Sequence, residues 1–158
     1  MFTAIAWATD NSPSALNALT AAKELARRFG ARLAIIHVQE VIASRSGVFV
    51  DSSDGTVDAL HETARDLRDE GIEADVLVSR APVSSTARTI VDLAKKAGAD
   101  LIVVGNRGHG PLAGIVLGSV ARRLLQSAPY PVLTVPSRYT ARTSPPVANL
   151  AAGSPPVR

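Results

Sequence analysis

The sequence predicts an α/β domain, a single doubly wound, five-stranded parallel sheet with helices on both faces. Three observations predict it. Five short apolar runs lack a polar alternate face, which marks strands covered on both sides. Between them lie four segments whose apolar residues recur at helical spacing. Five of the eleven glycines crowd into residues 105–118, between the fourth apolar run and the last helical segment. Such alternation, joined by right-handed crossovers, builds a parallel sheet.

The runs occupy residues 2–8, 33–38, 74–78, 101–104 and 132–135, all rich in Ile, Val, Leu or Ala. The first helix has Ser12 as N-cap and Pro13 at its first helical position; Leu16, Leu19, Ala22, Ala26 and Phe29 share one face, and Gly30 stops it. The stretch after the second strand reads as a loop. The second helix aligns Val57, Leu60, Ala64 and Leu67 and ends at Gly71. The third uses Ala87, Ile90, Val91, Ala94 and Ala97 and ends at Gly98. The fourth starts near Gly118, uses Val120, Leu124 and Leu125, and stops before Pro129. In such folds ligands bind outside the carboxyl ends of strands, where the winding reverses. The loops after the first, second and fourth strands are therefore the ones to inspect.

The 158 residues suit one domain, which buries roughly two-thirds of its unfolded surface. The absence of cysteine excludes a disulfide framework, a Cys-based metal site and a cysteine nucleophile. No window approaches the ~18–20 apolar residues of a membrane span, and residues 1–10 lack the basic start of a secretory signal. A cytoplasmic protein is expected. The pI near 9.8 invites a nucleic-acid reading. However, Arg138, Arg142 and Arg158 account for the whole excess of 17 basic over 14 acidic side chains. All three fall in residues 137–158, a Pro/Ser/Ala-rich tail with no acidic residue. Residues 1–136 form the domain and are formally neutral, so the charge does not point to nucleic acid.

The glycine stretch is the chemical signal. Glycine lets a ligand approach the backbone, and a loop between a buried strand and a helix start offers free N–H groups to an anion. Ser119 adds a hydroxyl suited to capping or to phosphate. The helix dipole contributes only about 0.3–1 kcal/mol per charge, so several N–H groups must converge. A Walker A loop is excluded, because no lysine lies in or beside the stretch. The dinucleotide fingerprint is excluded by position and spacing, and a Gly-x-Ser-x-Gly elbow does not occur.

Gly105-x-x-Gly108, nine residues, then Gly118-Ser119 is similar to the G-2x-G-9x-G-[S/T] ATP-binding motif of the universal stress protein family. The resemblance spans roughly residues 1–136. It takes in Ala8-Thr9-Asp10 with Ser12, His37-Val38, Arg107-Gly108-His109 and the closing residues 130–135. It implies a Rossmann-like fold of the adenine nucleotide alpha hydrolase-like type, with ATP across the carboxyl edge of the sheet. Ala8, Thr9 and Asp10 would border adenine and ribose, Asp10 accepting from a nucleoside hydroxyl. Val38 would contact the base, while Gly105, Arg107, Gly108 and His109 would line the ribose–phosphate path. Gly118, Ser119 and Val120 would hold phosphates. The resemblance also implies a homodimer through the last strand. Some relatives are thought to bind cyclic AMP instead, and others lack the glycine motif and act as nucleotide-independent interaction proteins. One departure from the family pattern is Arg80-Ala81-Pro82, where a glycine usually follows the third strand.

Single residues carry competing readings. Asp10 is also a natural turn residue before Ser12. His37, inside an apolar strand, reads better as a buried, hydrogen-bonded histidine than as a catalyst. Arg107 has an electrostatic use in a phosphate loop, whereas Lys95-Lys96 and Arg122-Arg123 read as solvated helix faces. His, Asp and Glu show no metal-ligand spacing, so Mg or Mn would arrive on the phosphates. Phosphoryl transfer needs a group that positions the attacking water. Asp10 is the sole nearby carboxylate, so slow ATPase or autophosphorylation is the most this loop advertises.

Overall fold

The computed structural model describes residues 1–44, 47–51, 55–107 and 117–139. The chain runs β1 (Ala4–Ala8), α1 (Pro13–Phe29), β2 (Arg32–Ser44), β3 (Gly47–Asp51), α2 (Thr56–Asp69), β4 (Ala74–Pro82), α3 (Thr86–Lys96), β5 (Leu101–Gly105), α4 (Ser119–Ser127) and β6 (Val132–Val135). A short 3-10 turn, Val83–Ser85, joins β4 to α3.

The five expected strands are all present and parallel. β1 pairs with β2 from Ala4↔Arg32 to Ala8↔Ile36, and with β5 from Ile5↔Leu101 to Ala8↔Val104. β4 follows β2 from Leu33↔Ala74 to Val41↔Pro82, and β6 follows β5. The spatial order of these five is therefore β4-β2-β1-β5-β6, with the winding reversing at β1. β3 is an addition to the predicted sheet, antiparallel to β2 from Glu40↔Asp51 to Ser44↔Gly47. Glu40 and Val41 pair with β4 on one edge and β3 on the other. β3 therefore takes the edge that β1 leaves, further along β2. Arg80-Ala81-Pro82, which departs from the family pattern, forms the end of β4, so the third predicted strand runs on past Val78.

Alternation along the strands sends side chains to two cores. Ile5, Trp7, Leu33, Ile35, Leu101 and Val103 pack with α1 and α2. Ala6, Ala8, Ile36, Val38, Ile102 and Val104 pack with α3 and α4. The α1 stripe agrees with the expected one at Leu19, Ala22 and Ala26 and differs elsewhere. Ala15, Ala18, Ala21, Ala22 and Ala26 are buried, whereas Leu16 and Phe29 stand 46% and 39% exposed. Trp7 supplies the reason. Its fully buried indole fills the space above β1 and its N–H donates to the Ala15 carbonyl at 2.9 Å, so alanines form the fully buried face of α1 there. Phe29 instead meets Phe2 edge to face. Leu125 of α4 is likewise exposed at 49%, and Ala121 and Leu124 are the buried pair.

The chain after β6 turns back over α1. The Asn17 amide donates to the Ser137 carbonyl, and the Tyr139 hydroxyl donates to Glu24 Oε2 at 3.2 Å. The rest of the expected tail, from residue 140 on, lies outside the described residues.

Candidate functional site

β1 ends at Ala8 while β2 continues, and the β1–α1 corner is built at that step. The Thr9 N–H extends the ladder to the Ile36 carbonyl at 2.9 Å, and the Thr9 carbonyl lies 2.9 Å from His37 Nδ1. The Asn11 N–H bonds Thr9 Oγ1 and the Ser12 N–H bonds Asp10 Oδ1, both at 3.0 Å. The second bond is an Asx-type turn, and it fixes the Asp10 carboxylate at the mouth of the corner. Asn11 takes φ +61°, a left-handed conformation that Asn tolerates better than most residues. Ser12 caps α1 through the Ala15 N–H at 3.3 Å, as the sequence predicts.

On this edge of β2, pairing with β1 stops at Ile36 and pairing with β3 resumes at Glu40. His37, Val38 and Gln39 span the gap, about 10 Å of strand edge. Ile36 turns its carbonyl toward Thr9, so Val38, two residues on, turns its own backbone polar groups to the same side. The predicted base contact therefore stands on a stretch of edge with which no other described strand pairs, its side chain buried at 8% exposure.

The second wall is the end of β5. A Cβ on Gly105 would lie 2.7 Å from Ser14 Oγ and 2.8 Å from the Ser14 backbone, so only glycine fits. Ser14, buried in the first turn of α1, donates to Asn106 Oδ1 at 3.2 Å and accepts the Arg107 N–H at 3.3 Å. Asn106 gathers the surrounding elements. Its N–H bonds the Val135 carbonyl at 2.8 Å, its carbonyl accepts the Gly118 N–H at 2.7 Å, and Ser137 Oγ donates to its Oδ1 at 3.3 Å. The two ends of the glycine stretch are thereby joined beside the β1–α1 corner. α4 begins there with Gly118 at its N-cap, extended at φ −66° and ψ 158°, and without a side-chain cap. Ser119 is exposed and Val120 half-buried against the α3–α4 core.

Ala8, Thr9, Asp10, Val38, Gly105, Arg107, Gly118, Ser119 and Val120 thus lie along one edge of the sheet. Gly108 and His109 lie outside the described residues. Arg80 stands apart on β4, its Nε donating to Gln39 Oε1 at 3.1 Å. Arg123, read as a solvated face, reaches the carbonyls of Val83 and Ser84 at 3.4 and 3.3 Å. Sequence reasoning missed Ser14, Asn106 and Ser137. A groove of about 830 Å³ lies elsewhere, between α1 and β6, where Ala21, Leu25, Leu133 and Tyr139 line it without any predicted site residue.

Fold and corner geometry together define a doubly wound α/β domain whose β1–α1 corner meets both ends of the glycine stretch at its switch point. The chain belongs to the universal stress protein family, whose sequence model matches residues 1–136. It is 31% identical over 150 residues to Universal stress protein YxiE of Bacillus subtilis, covering 85% of this chain and 99% of that one. Among solved structures, it resembles a universal stress protein in complex with cAMP, at 26% identity and a TM-score of 0.60, covering 86% of this chain and 98% of that one. It also resembles the universal stress protein from Archaeoglobus fulgidus in complex with dAMP, at 25% identity and a TM-score of 0.56, covering 85% and 98%. No helix among the described residues is long and apolar enough to cross a membrane.

Proposed function

We propose that this protein binds an adenine nucleotide, ATP first among them, and acts as a nucleotide-dependent sensor or binding module in a stress response. One observation carries the reading. The Gly118 N–H bonds the Asn106 carbonyl at 2.7 Å, bringing α4's uncapped start against the end of β5, next to the corner that holds Asp10. Nucleotide complexes of two related proteins agree with it. In this reading the base lies against the Val38 edge, and Asp10 accepts from a ribose hydroxyl. Gly105 and Arg107, with Gly108 and His109, flank the ribose–phosphate path, and the first N–H groups of α4 with Ser119 meet the phosphates. Backbone donors and one carboxylate suit a nucleotide that carries its own Mg or Mn. No cluster of three His, Asp or Glu side chains among the described residues offers to hold a metal independently.

The role proposed is binding rather than turnover, in a cytoplasmic homodimer that pairs through β6. Thermal melts with and without Mg-ATP test it. At a hundred times the dissociation constant, ATP stabilises the fold by about 2.7 kcal/mol. An unchanged melting temperature at millimolar ATP refutes the reading. The relative bound to cAMP favours a second reading in which a cyclic nucleotide takes the same crevice, and competition between cAMP and ATP separates the two. Phosphate release above background, lost in Asp10→Ala, would instead mark a slow ATPase.

A further inference from the structure

We infer that His37 is a positioning residue for the nucleotide crevice, acting through the Thr9–Asp10 peptide; the inference rests on the nucleotide reading above. His37 is buried at 7% exposure in a strand whose neighbours Ile35, Ile36 and Val38 are all buried and apolar. An imidazole is harder to bury than an isoleucine unless its nitrogens are bonded. What the ring does here is local and directed. A carbonyl only accepts, so Nδ1 carries the proton and donates to the Thr9 carbonyl at 2.9 Å.

That bond falls where the regular ladder runs out. The Thr9 N–H still pairs with Ile36. The next rung of a parallel ladder would take the Thr9 carbonyl to the Val38 N–H. The His37 side chain reaches that carbonyl instead, from the same strand. The Thr9 N–H and carbonyl are therefore both held, and the His37 bond and the Ser12 turn help orient the following residue, Asp10. The same bond satisfies the Thr9 carbonyl without the Val38 N–H, at the stretch of edge proposed for the base. A strand residue chosen for packing alone would do neither.

The test is calorimetric titration of Mg-ATP into the full chain and into His37→Asn, His37→Gln, His37→Leu, Asp10→Ala and the Asp10→Ala/His37→Leu double variant. Asn places an amide N–H where Nδ1 stands; Gln places it where Nε2 stands. The expected result is an Asn variant within about twofold of the parent. Gln and Leu variants should be weakened roughly tenfold, the worth of one buried hydrogen bond. With Asp10 already removed, His37→Leu should cost little more, because the two residues act as a unit. If His37→Leu does not fold, the Asn/Gln pair decides alone. Equal affinity for the parent and the Gln or Leu variant overturns the inference while leaving nucleotide binding intact. So does a His37→Leu loss that is the same with and without Asp10. A parent protein that binds no ATP overturns the nucleotide reading and this inference with it.

Discussion

At the amino-terminal end of the β1–β5 pair, the Asp100 carboxylate accepts the Thr3 N–H at 2.8 Å, the Thr3 hydroxyl at 2.9 Å and the Ala4 N–H at 3.4 Å. At the carboxyl end the polar side chains are arranged differently. Ser14 and Asn106 tie α1 to the end of β5, and His37 ties β2 to the Thr9 carbonyl, bracing the corner and the start of the glycine stretch. Beside them lie the Val38 edge and the start of α4, which has no side-chain cap. One end of the sheet uses its polar groups to close the β1–β5 seam; the other uses them to join the β1–α1 corner to the end of β5. Substitutions at the two ends should therefore separate stability from nucleotide binding.

Gly105→Ala should have the largest effect. The new methyl meets the Ser14 backbone at 2.8 Å, so α1 and β5 must move apart. A loss of about 1–3 kcal/mol, typical of overpacking, is expected in urea denaturation, together with loss of the ATP-induced thermal shift. Asp10→Ala should cost about 0.5–1.5 kcal/mol in urea, for the Ser12 N–H that the carboxylate accepts. Removing a charged acceptor from a ribose hydroxyl should also weaken ATP by about 1.5–3 kcal/mol in calorimetry. Ser14→Ala removes one donor and one acceptor at the junction of the walls. It should cost about 0.5–1.5 kcal/mol of stability and weaken ATP as well, which a mutation of comparable size in the far core should not do.

Asp100→Asn should be the mildest change and act only on stability. Burial works to raise the Asp100 pKa, but the bonds from Thr3 and Ala4 outweigh it and leave the carboxyl below its usual range. A carboxyl depressed in the folded state stabilises above its unfolded pKa, and that contribution is lost as the pH falls through the folded value. The group is largely solvated, so about 1 kcal/mol is the ceiling. Denaturation from pH 7 down to pH 2 should show the parent losing this increment on acidification and Asp100→Asn lacking it throughout. ATP affinity of the variant at pH 7 should equal the parent's.

The same contrast explains what the sequence could disclose. Strand and helix positions were legible because hydrophobic period and caps such as Ser12-Pro13 are local. β3 was not recognised, although Val48-Phe49-Val50 after Arg45-Ser46-Gly47 is a short β-rich run behind a turn signal. The buried face of α1 was misjudged at Leu16 and Phe29 because it forms against Trp7, which the helical period alone does not show. At the site, the spacing from Gly105 to Gly118 is visible in one dimension. Ser14 and Asn106 are not, since their contact joins residues 92 positions apart and each looks like an ordinary turn residue.

Amide hydrogen exchange with and without saturating Mg-ATP tests the central claim most directly, because it reads both ends of the sheet and the α1–β6 groove together. Slowed exchange is predicted at Thr9–Ser12, at Val38 and across Gly118–Ala121. Thr3, Ala4 and Asp100 should be unchanged. Protection confined to the groove around Leu25 and Leu133, or no protection anywhere at millimolar ATP, would contradict the account.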